Sequence, residues 1–195
     1  MYLGYNNIED IGVLNKVDFK ELKELELIEN QIEDINVLGQ VNFSKLNILN
    51  LKNNKISDLE VLSKVNFKEL KELNLSLNYI SNIKFLEKVN FKELNKLDLS
   101  GNQIVNINSL SKVDFENLEE LDLGYNQISN INVLNKVKFK ELNTLILNNN
   151  KISNIDILNK IKFSELKKLD LSNNKINHNL DIISKLKSII KELVV

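Results

Sequence analysis

Two carboxylates 24 residues apart, Asp98 and Asp122, are the best candidates in this chain for doing chemistry. Set opposite one another on adjacent strands, about 5 Å apart, they could share one proton or hold a cation between them. Little else supports such a role. The chain has one histidine, His178, and no cysteine, which argues against His-based triads, thiolate nucleophiles and the usual zinc sites. Neither GxGxxG nor GxxxxGK[ST] occurs, so no phosphate-cradling loop is available. Without a base, a nucleophile or such a loop beside them, Asp98, Asp122 and Asp170 read best as a solvated acidic strip. A carboxylate-based or metal-dependent enzyme is the remaining alternative. No catalytic residue, metal ligand or cofactor is assigned, and His178 is read as a loop residue.

The elements that position these carboxylates follow from a 24-residue period. Leu22, Leu46, Leu70, Leu94, Leu118, Leu142 and Leu166 keep that step, as do Asn6, Asn30, Asn54, Asn78, Asn102, Asn126, Asn150 and Asn174. Phe19, Phe43, Phe67, Phe91, Phe115, Phe139 and Phe163 form a third column, read as a packed aromatic spine. Self-similarity of this length means a solenoid, in which each unit buries its apolar face only by stacking on its neighbours.

Within the unit 118–141, Leu121 and Leu123 alternate with polar or small residues, the period of two of a short half-buried strand. Ile128, Ile131, Leu134 and Val137 then recur every third position, which predicts a helical or 3₁₀ turn along the back. The Asn column falls between strand and turn, where strand-end N–H and C=O groups lose their ladder partners. A side-chain amide supplies both donors and an acceptor, so the column predicts a ladder of buried amides bonded from one repeat to the next.

The pattern LxxLxLxxNxI, as in Leu118, Leu121, Leu123, Asn126 and Ile128, resembles the leucine-rich repeat. The continuation IxxIxxLxxV resembles the SDS22-like and internalin-like bacterial or protist subclass, with a VxF segment, Val137 to Phe139, extending the unit. The resemblance implies an α/β solenoid: a leucine-rich repeat horseshoe with a parallel concave sheet and short helical or 3₁₀ turns on the convex side. It also implies protein recognition on the concave face and no intrinsic catalysis.

Residues 1–177 are read as the array, a leading half repeat plus seven repeats, and 178–195 as an amphipathic capping helix. Ile182, Ile183, Leu186, Ile189, Ile190 and Leu193 fall on one face of that helix. Leu3, Ile8, Ile11 and Leu14 form a first layer with no cap before it. That layer is expected to continue from earlier repeats of a longer protein, to meet a partner or a second copy of the chain, or to fray.

Net charge −1 with 26 Lys+Arg against 27 Asp+Glu gives no basic footprint for nucleic acid and no polybasic membrane patch. Residues 1–7 show no basic segment followed by an apolar run. That and the lack of cysteine tilt the expectation toward the cytoplasm without fixing a compartment. On the back, Lys64, Lys88, Lys112, Lys136 and Lys160 stand near Glu69, Glu93, Glu141 and Glu165, a mixture that suits solubility. On the concave side the outward columns vary, and Ile48, Leu77, Tyr79, Tyr125 and Ile146 are expected to be exposed. The expected partner-binding residues are therefore Leu77, Tyr79, Asp98, Asp122, Tyr125 and Ile146, with Gly101 leaving a dip between Leu77 and Tyr125 and the partner itself an unidentified protein.

Overall fold

The computed structural model describes residues 1–161, 164–177 and 180–195; Phe163 and His178 lie outside them. Eight three-residue strands, β1 (Glu24–Glu26), β2 (Ile48–Asn50), β3 (Glu72–Asn74), β4 (Lys96–Asp98), β5 (Glu120–Asp122), β6 (Thr144–Ile146), β7 (Lys168–Asp170) and β8 (Glu192–Val194), form one sheet in sequence order. Every pair is parallel, and each residue faces the one 24 positions later, as in Leu97↔Leu121 and Asp98↔Asp122. The middle leucine of β1 to β7 is buried while its two neighbours point outward, so a three-residue strand suffices to define a core side and a concave side. Tyr2 adds a single parallel bridge to Glu26.

The return path is 3₁₀, as in Asn132–Asn135 and Lys84–Glu87. Its start is set by a side chain: Asn130 Oδ1 accepts the Asn132 N–H at 2.9 Å, and Asp58, Asn82, Asn106 and Asn154 do the same in their own units. Leu134 N–H then donates to the Ile131 carbonyl at 3.0 Å, the i to i−3 bond that matches the three-residue apolar spacing. Ile128, Ile131 and Leu134 are buried beneath it, and Val137 is half-buried at its edge.

Both buried columns behave as polar and apolar bookends of this core. Phe43, Phe67, Phe91, Phe115 and Phe139 are buried, whereas Phe19, in the first layer, is 40% exposed. In the Asn column, Asn126 is typical. Its Oδ1 accepts the Ile104 N–H at 2.9 Å, and its Nδ2 faces the carbonyls of Leu99, Leu123 and Gly124 at 3.0–3.2 Å. Ile104 and Leu99 belong to the preceding repeat, and the amides from Asn30 to Asn174 tie two repeats together in this way, whereas Asn6 in the first unit is exposed and donates only to the Leu3 and Gly4 carbonyls.

The end of the chain departs from the capping helix expected over 178–195. Helix α1 runs Leu180–Ile189, with Ile182 and Leu186 buried against the last turn, where Lys185 Nζ donates to Asn159 Oδ1 at 2.6 Å. The chain then re-enters the sheet as β8, with Leu171 N–H donating to the Val194 carbonyl at 2.7 Å. The physical reason is register: Ile190 and Leu193 stand 24 residues after Leu166 and Leu169, so each completes a column of the array. Helix α1 thus takes the place of a 3₁₀ turn in the last unit.

Candidate protein-binding surface

Two columns of each strand face outward. The first, Glu24, Ile48, Glu72, Lys96, Glu120, Thr144, Lys168 and Glu192, carries charges of both signs, with Lys96 Nζ 3.0 Å from Glu120. The second is Glu26, Asn50, Asn74, Asp98, Asp122, Ile146, Asp170 and Val194. Most of its polar members close the turn that follows their strand. Asp98 Oδ1 accepts both the Ser100 N–H at 2.9 Å and the Ser100 hydroxyl at 2.7 Å, and Asn74 and Asp170 do the same with Ser76 and Ser172.

Asp122 is different because residue 124 is glycine. It accepts only the Gly124 N–H, at 2.8 Å, and has no hydroxyl partner. Its register neighbour on β6 is Ile146, half-buried, which removes water without offering a hydrogen bond. Burial pushes the Asp122 carboxyl up to about 6; the Gly124 N–H opposes the rise, and the charges of Asp98, Glu120 and Asp170 add to it. Asn148 Oδ1 lies where a side chain at residue 124 would begin, so a larger residue there would have to displace the Asn148 side chain. Among the described residues, no three His, Cys, Asp or Glu side chains converge as a cation site.

Beyond the second column the chain turns through a left-handed residue in every unit: Tyr5, Glu29, Asn53, Leu77, Gly101, Tyr125, Asn149 and Asn173 all have φ between +52° and +64°. Asn and Gly suit that region, while a bulky side chain is disfavoured by contact between its Cβ and the backbone. Two of these residues, Leu77 and Tyr125, are expected from sequence to be exposed, but the shared conformation is not among the expectations. The signal was the recurrence of Asn and Gly at 53, 101, 149 and 173.

Leu77, Tyr79 and Tyr125 are exposed, at 47%, 55% and 61%. They line the ridge where strands β3 and β5 end. Ile48 and Ile146 are only half-buried in the sheet, shielded by the side chains beside them. The dip expected at Gly101 is absent: a Cβ there would lie 2.5 Å from Leu77 Cδ2, because Leu77 leans across the glycine toward Tyr125. On the back, Lys88 pairs with Glu60 at 2.6 Å and Lys112 with Glu87 at 2.8 Å, partners other than the expected glutamates, of which Glu69 pairs with Lys45 at 2.7 Å. Lys112 and Lys136 line a shallow polar groove of about 1010 Å³ with Asn106, Asn108, Asn130 and Asn132.

Comparison with known proteins agrees with this geometry. Profiles described as "Leucine Rich repeats (2 copies)" and "Leucine Rich Repeat" match residues 92–136 and 165–186. Among solved structures, an internalin (inlF) from Listeria monocytogenes superposes with TM-score 0.79 at 29% identity, covering 96% of this chain and 51% of that one. An internalin C2 (inlC2) from the same organism superposes with TM-score 0.77 at 26% identity, covering all of this chain and 77% of the other. The chain thus spans about half the length of the first of these. A search of curated protein sequences found no match. The fold is one that serves protein-interaction scaffolds in general. With the 24-residue LxxLxLxxNxI unit, a single parallel sheet of consecutive strands and an internalin-like superposition over nearly its whole length, the chain has the leucine-rich repeat solenoid fold and is similar to the internalins.

Proposed function

We propose that the chain is a non-enzymatic scaffold that binds another protein through its concave face and the ridge beside it. The contact residues in this reading are Leu77, Tyr79, Asp98, Asp122, Tyr125 and Ile146. The observation that carries it is the grouping of three large exposed side chains, Leu77, Tyr79 and Tyr125, next to a sheet face whose outward columns are mostly polar. Aromatic side chains offer much contact area for few torsions to be frozen. A non-enzymatic role fits the commitment of one oxygen each of Asp98 and Asp122 to closing a strand-end turn. Partners captured from cells by the intact chain supply the test. Tyr79→Ala with Tyr125→Ala should weaken binding of a captured partner by more than about 2 kcal/mol with the melt unchanged or higher. Binding lost only on replacing Lys88 and Lys112 would place the contact on the opposite face and end this reading.

A second reading, self-association through the first layer, is favoured by the exposure of Tyr2, Tyr5, Val13 and Phe19 there. Sedimentation velocity over a wide concentration range tests it, and a constant monomer coefficient would dismiss it.

A further inference from the structure

Leu77 and Tyr125 sit in a backbone conformation that neither residue type favours. Their column is left-handed throughout, and four of its eight members, Asn53, Gly101, Asn149 and Asn173, are the residue types that accept this backbone readily. A leucine or tyrosine there meets a steric cost that burial could offset, yet both side chains are about half exposed or more. Strain retained without internal compensation is a mark of an external contact.

The two side chains also act together. Their backbones stand two strand intervals apart, about 10 Å. Leu77 shortens that gap by lying across Gly101, which works only because residue 101 has no side chain. Leu77 thus covers the position between the two strands' turns, and with Tyr125 on the far side it forms an apolar ledge, Tyr79 lying two residues along the chain from Leu77.

The sheet beside the ledge has a definite sign. From β3 to β7 its two outward columns carry five carboxylates, Glu72, Asp98, Glu120, Asp122 and Asp170, against two ammoniums, Lys96 and Lys168. Lys96 is already engaged by Glu120. A partner laid over this face meets net negative charge a few ångströms from an apolar ledge, so like charge would be repelled and opposite charge drawn in.

Resting on the concave-face reading above, we infer that Leu77 and Tyr125 are its anchor residues. Its occupant is a basic protein segment that seats an apolar side chain on the Leu77–Tyr125 ledge and places lysine or arginine over the carboxylates of β3 to β7. Gly101 is a positioning residue, holding Leu77 in place without touching the partner.

Fluorescence anisotropy with two labelled synthetic peptides tests this directly. One carries a tryptophan flanked by lysines, and the other has glutamate at every lysine position. The lysine peptide should bind the intact protein more tightly, by about tenfold or more, and the preference should shrink as salt is raised. Leu77→Asn with Tyr125→Asn should reduce that binding by about tenfold while the protein melts at the same temperature or higher, whereas anchors needed by the fold would lower the melt. Gly101→Asn, a residue compatible with the left-handed backbone, should weaken the lysine peptide by displacing Leu77. Equal binding of the two peptides, tighter binding of the glutamate peptide, or no binding of the lysine peptide overturns the basic-partner inference alone. A lysine preference that none of these substitutions alters would instead refute the concave-face reading itself.

Discussion

Tyr125 and Asn126 are neighbours in the chain and obey opposite rules. The amide of Asn126 is buried and meets four backbone groups, two of them in the preceding repeat, and its column is Asn in all eight units. The column of Tyr125 is fixed only in its backbone, left-handed in all eight units, while its side chains run through Tyr, Glu, Asn, Leu and Gly. One residue is specified by hydrogen bonds that nothing else in the core can supply. The next is specified by a dihedral angle and leaves its side chain free for something outside the fold. Recognition can therefore vary from repeat to repeat without disturbing the array, because the two requirements fall on different residues.

That contrast can be broken or sharpened by substitution. The largest effect belongs to the interior: Phe115→Ala should cost about 3–5 kcal/mol in denaturant melts, since the ring is buried and its neighbours in the spine can collapse only partly into the space. Asn126→Ala comes next, at about 2–3 kcal/mol, by stranding the Ile104 N–H and the carbonyls that its amide satisfies. A loss no larger than that of the adjacent Gln127→Ala would refute the ladder as a stabilising device.

An intermediate effect is expected at the acidic strip, where its sign depends on pH. The folded carboxyl of Asp122 titrates near 6 against an ordinary 3.8, so the folded state holds its proton more tightly than the unfolded chain does. Its contribution is complete below pH 3.8 and is lost as pH rises through about 6. Asp122→Asn, which restores the residue type found at Asn50 and Asn74, should stabilise by about 1–2 kcal/mol at pH 8 after allowance for solvent screening, and by almost nothing near pH 4. Melts of the two proteins across that range check it; a constant difference would mean that burial is not what raises the group.

The smallest effect is on the exposed side of the contrast. Tyr125→Asn should stabilise by about 0.5–1 kcal/mol, because asparagine tolerates the left-handed backbone better than tyrosine. A clear loss of stability in thermal melts would show that Tyr125 serves the array and erase the distinction drawn from its neighbour.

What could be read from residues alone was whatever repeats. Leucine alternation, three-residue spacing in the turns and the Asn column each state a local requirement, and eightfold repetition separates requirement from chance. The candidate surface was less legible. Leu77, Tyr79 and Tyr125 stood out as apolar residues in outward columns, but Ile48 and Ile146 carried the same signal and are half-buried. Neighbouring side chains from other strands decide that outcome, and those are separated by 24 residues of sequence. The terminal strand was missed for a simpler reason: the amphipathic spacing of 182–193 masked the fact that Ile190 and Leu193 continue two columns of the array.

The period, the core columns and the hydrogen-bonded ladder were thus determined by sequence, because each rests on residue type at a fixed spacing. Only the tertiary structure decided that Leu77 lies over Gly101, that Lys112 pairs with Glu87, and that Asp122 holds a proton more tightly than an ordinary carboxyl. These depend on side-chain direction and on exclusion of water by neighbouring repeats, and both arise only when the units stack.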